Sequence, residues 1–291
     1  MVDVWSVERV LASAAVLGEG PVWDADEGCL HWVDIERGEV HRFDPVTRRD
    51  TVVLTLDRQV GAVGLRDGGG LVLAVREGFA TWRPGQADVD VVARPLGSNS
   101  LCRMNDGACD AAGRFWAGSM ALTDGVLGQG SLYRLEPEGS SVEVLGGISL
   151  SNGIGWSPDG RTMYHVDTLA LSLSAFSFDA LTGALGPPRV LIDFKRDDGF
   201  PDGIAVDAEG CIWVAFWLGS RVVRYSPAGE LLGAVEVPTP LVTSCAFGGP
   251  TLEDLYITTA SRDLDPGAAG AGDLYLARTG VSGTQPHRYR G

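Results

Sequence analysis

The sequence lacks the features that mark membrane and secreted proteins. No apolar run approaches the length of a membrane span, and residues 1–18 do not show the basic-then-apolar order of a secretory signal. The five cysteines are odd in number and form no CxxC pair, which is typical of reduced thiols in a cytosolic protein. We therefore expect a cytoplasmic protein that does not bind membranes.

Basic residues and familiar catalytic signatures are also scarce. The sequence has 23 Lys and Arg residues against 38 Asp and Glu residues, which gives a net charge of −15. Such a surface repels phosphate backbones, so no nucleic-acid partner is expected. The sequence contains no GxSxG elbow, Walker motif, HExxH motif or dinucleotide fingerprint. A Ser-His-Asp triad is not excluded, but no motif marks one.

Helical periodicity is hard to find, whereas glycine is abundant, at 40 of 291 residues. Hairpin patterns recur instead, each with a short apolar strand, a tight turn containing Asp or Gly, and a second strand rich in aromatic and β-branched residues. Examples are residues 20–32, 103–120, 153–164 and 203–214. We predict an all-β fold, in which one domain over residues 1–291 forms a six-bladed β-propeller with four-stranded antiparallel blades.

The N-terminal segment is expected to close this ring. Propellers commonly remove their exposed edges by building one blade from both ends of the chain. Residues 4–16 carry several apolar side chains. We predict that they form one strand that pairs with the last blade.

The repeats share a register that assigns one residue of each blade to the central channel. Counting back five residues from each hairpin turn, at intervals of about 42 to 50 residues, gives Glu19, Ala62, Asn105, Asn152, Asp202 and Ser244. The first strand of each blade lines the channel, so these six positions should form a ring. A single Asn-Gly or Asp-Gly pair more often marks a turn. Four carboxylate or carboxamide groups in one register favour a functional site.

Oxygen donors dominate this predicted ring. Glu19, Asn152 and Asp202 have no Cys or His near them in the sequence. Such a set favours one hard divalent cation, Ca²⁺ above all, with Mg²⁺, Mn²⁺ or Zn²⁺ as alternatives. Three protein ligands leave positions for water and substrate, so the metal could polarise a carbonyl. An Asp that faces both metal and substrate could act as the general base.

Several other residues are candidates for supporting roles. Arg103 lies two residues before Asn105, on the same face of the strand. It could neutralise the ring or present its donors to substrate oxygens, and spacing alone does not decide between these roles. Asp106 and Asp167 are predicted to contact the ring residues without touching the ligand themselves. The aromatic run at residues 213–217 is predicted to belong to the core rather than to the site.

Six short motifs spread from residue 17 to residue 249 carry a resemblance to a known family. They read LGEGPVW at 17–23, RMNDG at 103–107, GRFWAGSM at 113–120, SNG at 151–153, PDG at 201–203 and TSCAFGG at 243–249. Together they resemble the regucalcin/gluconolactonase family of six-bladed propeller lactonases, also called senescence-marker-protein-like. The resemblance covers nearly the whole chain.

The resemblance implies a reaction and assigns residues to it. Glu19, Asn152 and Asp202 would bind the metal, with Asp202 as the base. Arg103 and Asn105 would hold the hydroxyls or the ring oxygen of a sugar lactone. The metal-polarised carbonyl would be attacked by Asp-activated water, which opens the lactone to an aldonic acid. The expected partner is thus a small-molecule lactone, and the expected assembly is a monomer or a weak homodimer.

One departure from the family concerns residues 121–123. Some members carry an acidic substrate-contacting residue shortly after the Met of the GSM motif, where this chain has Ala121, Leu122 and Thr123. We predict that Thr123 contacts the substrate, and that a less polar lactone is preferred. The alternatives are an esterase or organophosphate hydrolase on the same site, metal-free acid–base chemistry, and a non-catalytic propeller that only binds a divalent cation.

Overall fold

The computed structural model describes residues 3–97, 101–123, 125–265 and 267–291, and these form six small sheets arranged in a ring. The first two strands of the chain are β1 (Asp3–Trp5) and β2 (Glu8–Leu11). Blade one contains β3 (Gly18–Asp24), β4 (Cys29–Asp34), β5 (Glu39–Asp44) and β6 (Arg49–Thr55). Blade two contains β7 (Val60–Leu65), β8 (Leu71–Val75), β9 (Gly78–Trp82) and β10 (Asp90–Ala93). Blade three contains β11 (Cys102–Cys109), β12 (Phe115–Ala121), β13 (Gly130–Leu135) and β14 (Ser141–Ile148).

The second half of the chain repeats this pattern. Blade four contains β15 (Ser151–Trp156), β16 (Thr162–Asp167) and β17 (Ser172–Asp179), with two short outer strands, β18 (Ala184–Leu185) and β19 (Arg189–Asp193). After a 3-10 turn at Arg196–Asp198, blade five contains β20 (Phe200–Val206), β21 (Ile212–Trp217), β22 (Arg221–Tyr225) and β23 (Leu231–Glu236). Blade six contains β24 (Val242–Gly248), β25 (Asp254–Thr259) and β26 (Leu274–Arg278).

The first strands of the six blades form the inner ring. β3, β7, β11, β15, β20 and β24 each contact the next, and β24 contacts β3. Neighbouring strands within each of the six blades are antiparallel. The predicted six-bladed β-propeller is therefore confirmed. Among the described residues, no helix is both long enough and apolar enough to cross a bilayer.

The ring is closed by the N-terminal segment, as predicted, but in two pieces rather than one. β2 pairs antiparallel with β26 and supplies the outer strand of blade six. β1 instead pairs parallel with β23 on the outside of blade five, where the Trp5 ring lies 5.2 Å from that of Trp213. The prediction of a single strand over residues 4–16 is wrong because the chain crosses between blades after Trp5.

The core lies between the blades. Six apolar clusters join neighbouring blades, and one of them, between blades one and two, also includes Leu241 and Ala260 beside blade six. Because every blade has a neighbour on both faces, central strands such as β8 and β21 are buried on both sides and read as nearly continuous apolar runs. The five cysteines are all free and buried.

A β-bulge interrupts each inner strand near the predicted ring position. The pairing register with the second strand shifts in all six blades, for example between Met104 and Gly107 and between Pro201 and Ile204. A bulge re-aims the side chains beside it. Glycines that follow ring residues are required by close packing between inner strands and not by turns. A Cβ on Gly203 would lie 2.1 Å from Ser244 Oγ, so the close approach of inner strands requires glycine.

Candidate active site

The bulged strands bring four ring residues to one cavity of about 330 Å³ at the end of the channel where the inner strands begin. We call this the mouth cavity. It is lined by Glu19, Asn105, Asn152 and Asp202, from blades one, three, four and five. The other two ring positions, Ala62 and Ser244, do not line it. The structure thus brings these four residues together, as the repeat register predicts. The Asn152-Gly153 and Asp202-Gly203 pairs lie in strands and not in turns.

A chain of hydrogen bonds fixes the amide groups of the ring. Arg103 Nη1 donates to Asn105 Oδ1 at 2.6 Å, and Asn105 Nδ2 donates to Asn152 Oδ1 at 3.0 Å. Asn152 Nδ2 donates to Thr168 Oγ1 at 2.9 Å, and the Thr168 hydroxyl donates to Pro201 O at 2.7 Å. Each Asn therefore presents its oxygen in a defined direction, and each oxygen keeps one lone pair for a further partner.

Burial of the carboxyl groups in the channel disfavours their charged forms. Burial raises the pKa of Glu19 to about 8, and the Asp106 carboxylate adds to this shift. Burial also raises the pKa of Asp106 to about 6. The pKa of Asp202 is raised well above its ordinary value by burial, then by Glu19 and Asp106, and Arg103 only partly opposes this. A cation among these groups would favour their charged forms.

The donor set fits a hard divalent cation. Asp202 Oδ1 is buried and has no hydrogen-bond partner among the described residues, although buried polar atoms are normally paired. Glu19 Oε2 accepts one bond, from Gly20 N at 3.0 Å. The described residues contain no group of three or more His, Cys, Asp or Glu side chains placed to hold a metal. The candidate set therefore depends on the amide oxygen of Asn152 as its third ligand.

Arg103 is buried beside the ring yet makes no salt bridge within the described part of the chain. Burial lowers the pKa of Arg103 to about 10, which leaves it charged at neutral pH. Its two hydrogen bonds to described residues, to Met104 O and to Asn105 Oδ1, both come from Nη1. The other donors of the guanidinium are thus left for oxygens in the cavity. Of the two roles open to Arg103, the geometry favours binding a ligand.

The remaining predicted residues lie in different places. Thr123 is exposed at the rim of the mouth cavity. Asp106 lines a second cavity, at the hairpin-turn end of the channel, and its Oδ1 accepts a bond from Gly107 N at 2.7 Å. Asp167 accepts bonds from the backbone N–H groups of residues 149 and 150, at 2.9 and 3.1 Å. It holds the turn before β15, so its effect on Asn152 is indirect.

Sequence reasoning missed most of the cavity wall. Trp213 is buried in the core, as predicted. Trp217, at the end of the same strand, packs against a core cluster but also lines the mouth cavity, so the core prediction is only partly right for this residue. Trp217 is the last residue of β21 and pairs with the first residue of β20. Asp167 is likewise the last residue of β16 and pairs with the first residue of β15. This shared register is the signal that could have placed it at the mouth. Arg262 also lines the cavity and carries no motif.

Comparison with known proteins gives consistent matches. The family model described as SMP-30/Gluconolactonase/LRE-like region matches residues 17–261. Regucalcin from Xenopus laevis is 36% identical, covering 98% of both chains. Pentonolactonase XacC from Haloferax volcanii is 39% identical, covering 92% of this chain and 89% of the relative. A crystal structure of a calcium-binding protein, regucalcin, from Agrobacterium tumefaciens superposes with a TM-score of 0.94 at 30% identity over the full length of both chains.

Proposed function

Because the chain belongs to the SMP-30/gluconolactonase/LRE-like family, we propose that it is a metal-dependent lactonase that opens a sugar lactone to the corresponding aldonic acid. Sugar-lactone hydrolysis in general is supported by a relative that is named a pentonolactonase. The observation that carries the metal-dependent part is the buried Oδ1 of Asp202, which has no partner in the described part of the chain and lies in the cavity that Glu19 and Asn152 also line.

Glu19, Asn152 and Asp202 would hold the cation, and Ca²⁺ is the first choice because all three supply hard oxygen donors. A relative described as a calcium-binding protein is consistent with this choice. A bound divalent cation supplies a Lewis acid that polarises the lactone carbonyl and lowers the pKa of water.

The chain's own residues divide the remaining work. Asp202 accepts a proton from the water that attacks the carbonyl carbon, and this proton goes to the ring oxygen as the acyl C–O bond breaks. Arg103 donates to oxygens of the substrate through the nitrogens that make no bond to the described residues. Asn105 has committed its Nδ2 to Asn152 and to Ser151 O. It therefore orients Arg103 and Asn152, and keeps an Oδ1 lone pair for one substrate hydroxyl.

The test is lactone hydrolysis by metal-stripped protein, followed with a pH indicator. Aldono-, γ- and δ-lactones are assayed with and without added Ca²⁺, Mg²⁺, Mn²⁺ or Zn²⁺. We expect one metal to restore activity in the wild type but not in Asp202→Asn. The matched control is Asp57→Asn, which neutralises a carboxylate that is 89% exposed and lies outside the mouth cavity. It should behave as the wild type.

Two other outcomes identify the alternative functions. Faster turnover of phenyl acetate or of an organophosphate than of any lactone would indicate an esterase or organophosphate hydrolase. A metal that raises the melting temperature without any hydrolysis would indicate a propeller that only binds the cation. Either result would overturn the proposal.

A further inference from the structure

The mouth cavity has two chemically different sides. Blade six contributes a charged side, with Arg262 and Asp263, and Arg262 Nη1 lies 3.5 Å from Glu36 Oε1. Blades three to five contribute an apolar side, which we call the apolar wall. It consists of Met120, Val126, Leu150, Leu169, Phe200 and Trp217. The ring carboxylates lie on the floor between the two sides, so a ligand on the ring touches both.

Two exposed apolar residues directly follow wall residues in the chain. Leu127 follows Val126 in the loop between β12 and β13 and is 64% exposed. Leu218 follows Trp217 after β21 and is 56% exposed. Exposed large apolar side chains near a cavity commonly mark a surface that a ligand covers.

Two hydroxyl groups on this side of the cavity already bond to protein groups. The Thr168 hydroxyl donates to Pro201 O and accepts from Asn152. Ser149 Oγ accepts from Gly128 N at 3.3 Å. A sugar hydroxyl placed against the wall would be buried with few partners, and each such loss lowers affinity by roughly tenfold. The wall therefore suits carbon and not a polyol.

We propose that the preferred substrate is an amphipathic sugar lactone, whose ring oxygens face Glu19, Asn152 and Asp202 and whose alkyl end, free of hydroxyl groups, lies on the apolar wall. This inference rests on the proposed lactonase function and names its substrate class. A cavity of about 330 Å³ falls at the lower end of the range for drug-sized ligands, roughly 300 to 1,000 Å³, so it has room for more than a bare lactone ring. Water adds to the carbonyl carbon, the ring acyl C–O bond breaks, and the product is an alkyl-substituted hydroxy acid.

The first experiment is a chain-length series. kcat/KM is measured with the restoring metal for γ-lactones that carry successively longer alkyl chains on the carbon next to the ring oxygen, and for gluconolactone. We expect kcat/KM to increase by roughly fourfold for each buried methylene until the wall is covered. A rate that is independent of chain length, or highest for the most hydroxylated lactone, would overturn the inference and leave the lactonase proposal standing.

Variants of the wall test where the chain lies. Leu169→Ser, and independently Val126→Ser, should flatten the dependence of kcat/KM on chain length. The matched control is Leu181→Ser, because Leu181 is 89% exposed and lies after β17 at the opposite end of the blade. It should keep the wild-type dependence. An unchanged dependence in both wall variants would contradict the proposed placement.

Binding without hydrolysis separates the two proposals. The same alkyl series is prepared as γ-lactams, which resist hydrolysis, and their Kd values are measured by calorimetry on metal-loaded protein. A Kd that falls by roughly fourfold per methylene, in a protein that hydrolyses no lactone, would sink the lactonase proposal and support the apolar substituent. A Kd that does not change with chain length would contradict the proposed placement of the alkyl group even if lactones are hydrolysed.

Discussion

The two ends of the channel bury the same kind of side chain in opposite conditions. Asp207, just after β20 at the hairpin-turn end, accepts four hydrogen bonds within 3.0 Å, from two backbone N–H groups, Trp213 Nε1 and Arg224 Nε. Asp202, five residues earlier at the mouth, has an oxygen with no partner among the described residues. A fully paired buried carboxylate stabilises a fold, whereas an unpaired one needs another reason to be there.

Blade three repeats the contrast. Asp110, at its hairpin turn, binds Arg114 Nε at 2.6 Å and Trp116 Nε1 at 2.8 Å. At the mouth of the same blade, Arg103 makes no salt bridge within the described residues and has donors left over. The turn end therefore stabilises the fold of the repeat, whereas the mouth holds polar groups with unused hydrogen-bonding capacity among the described residues.

The largest expected effect is at the mouth. Asp202→Asn should lower kcat/KM for the best lactone by about 10²- to 10⁴-fold, because it removes the proposed base. Burial and the neighbouring Glu19 raise the pKa of Asp202 and favour its neutral form in metal-free protein. Asn has nearly the same shape as that neutral form, so the free energy of unfolding of metal-free protein should stay constant or increase. Lactone assays and urea unfolding in chelator measure the two quantities. A variant that loses both activity and stability would place Asp202 among the structural carboxylates.

The matching change at the turn end should have the reverse result. Asp207→Asn leaves the buried Arg224 guanidinium without that charge partner, and we expect a loss of about 3 kcal/mol in the free energy of unfolding. Glu209 also binds Arg224, at 2.7 Å, and limits the loss. Activity per folded molecule should stay within about twofold of the wild type. Urea unfolding and kcat/KM at saturating metal test this, and a large drop in kcat/KM would remove the distinction between the ends.

A third effect concerns a buried histidine behind the mouth. His165 Nε2 lies 2.8 Å from Ser151 Oγ, and burial lowers the pKa of His165 to about 4. Since the unfolded chain binds this proton more readily, the stability that neutral His165 contributes is present above pH 6.5 and is lost as pH falls towards 4. The difference in unfolding free energy between pH 7 and pH 5 should be about 2 kcal/mol larger in the wild type than in His165→Gln.

Measuring the variant beside the wild type isolates this residue. The ring carboxylates titrate in the same range, but they are present in both proteins and their contribution cancels in the difference. Urea unfolding at the two pH values gives the four free energies. Equal pH dependence in both proteins would mean that His165 is not held neutral.

The ring of the site could be predicted from the sequence because its spacing follows the repeat. Each hairpin turn lies a fixed distance from the channel, so counting back from Asp110 or Asp207 identifies Asn105 and Asp202. The bulges could not be predicted, since an inserted residue changes the pairing register without changing the apolar pattern. Asn152 Oδ1 accepts a hydrogen bond from Asn105, which belongs to another blade. No local sequence pattern reveals that contact.

Other predictions failed where residue type was used without position. Trp217 belongs to an aromatic run, and the run as a whole is core, but the strand reaches the mouth at its last residue. Likewise, the apolar residues after Met1 indicate strand but not which blade the strand joins, and Trp5 joins blade five. Tertiary contacts decide these points, because burial depends on neighbours that are distant in sequence.

The smallest expected effect tests whether the turn end is independent of the mouth. Arg288, in the C-terminal segment, donates from Nη2 to Asp24 Oδ1 at 2.7 Å and to Asp26 Oδ2 at 2.8 Å. The arginine side chain is 25% exposed and Asp26 is 82% exposed, so Arg288→Ala should cost only about 0.5 to 1 kcal/mol of unfolding free energy. Added salt should shrink that difference, and kcat/KM should not change. A change in kcat/KM without a change in stability would show that the two ends of the channel are coupled.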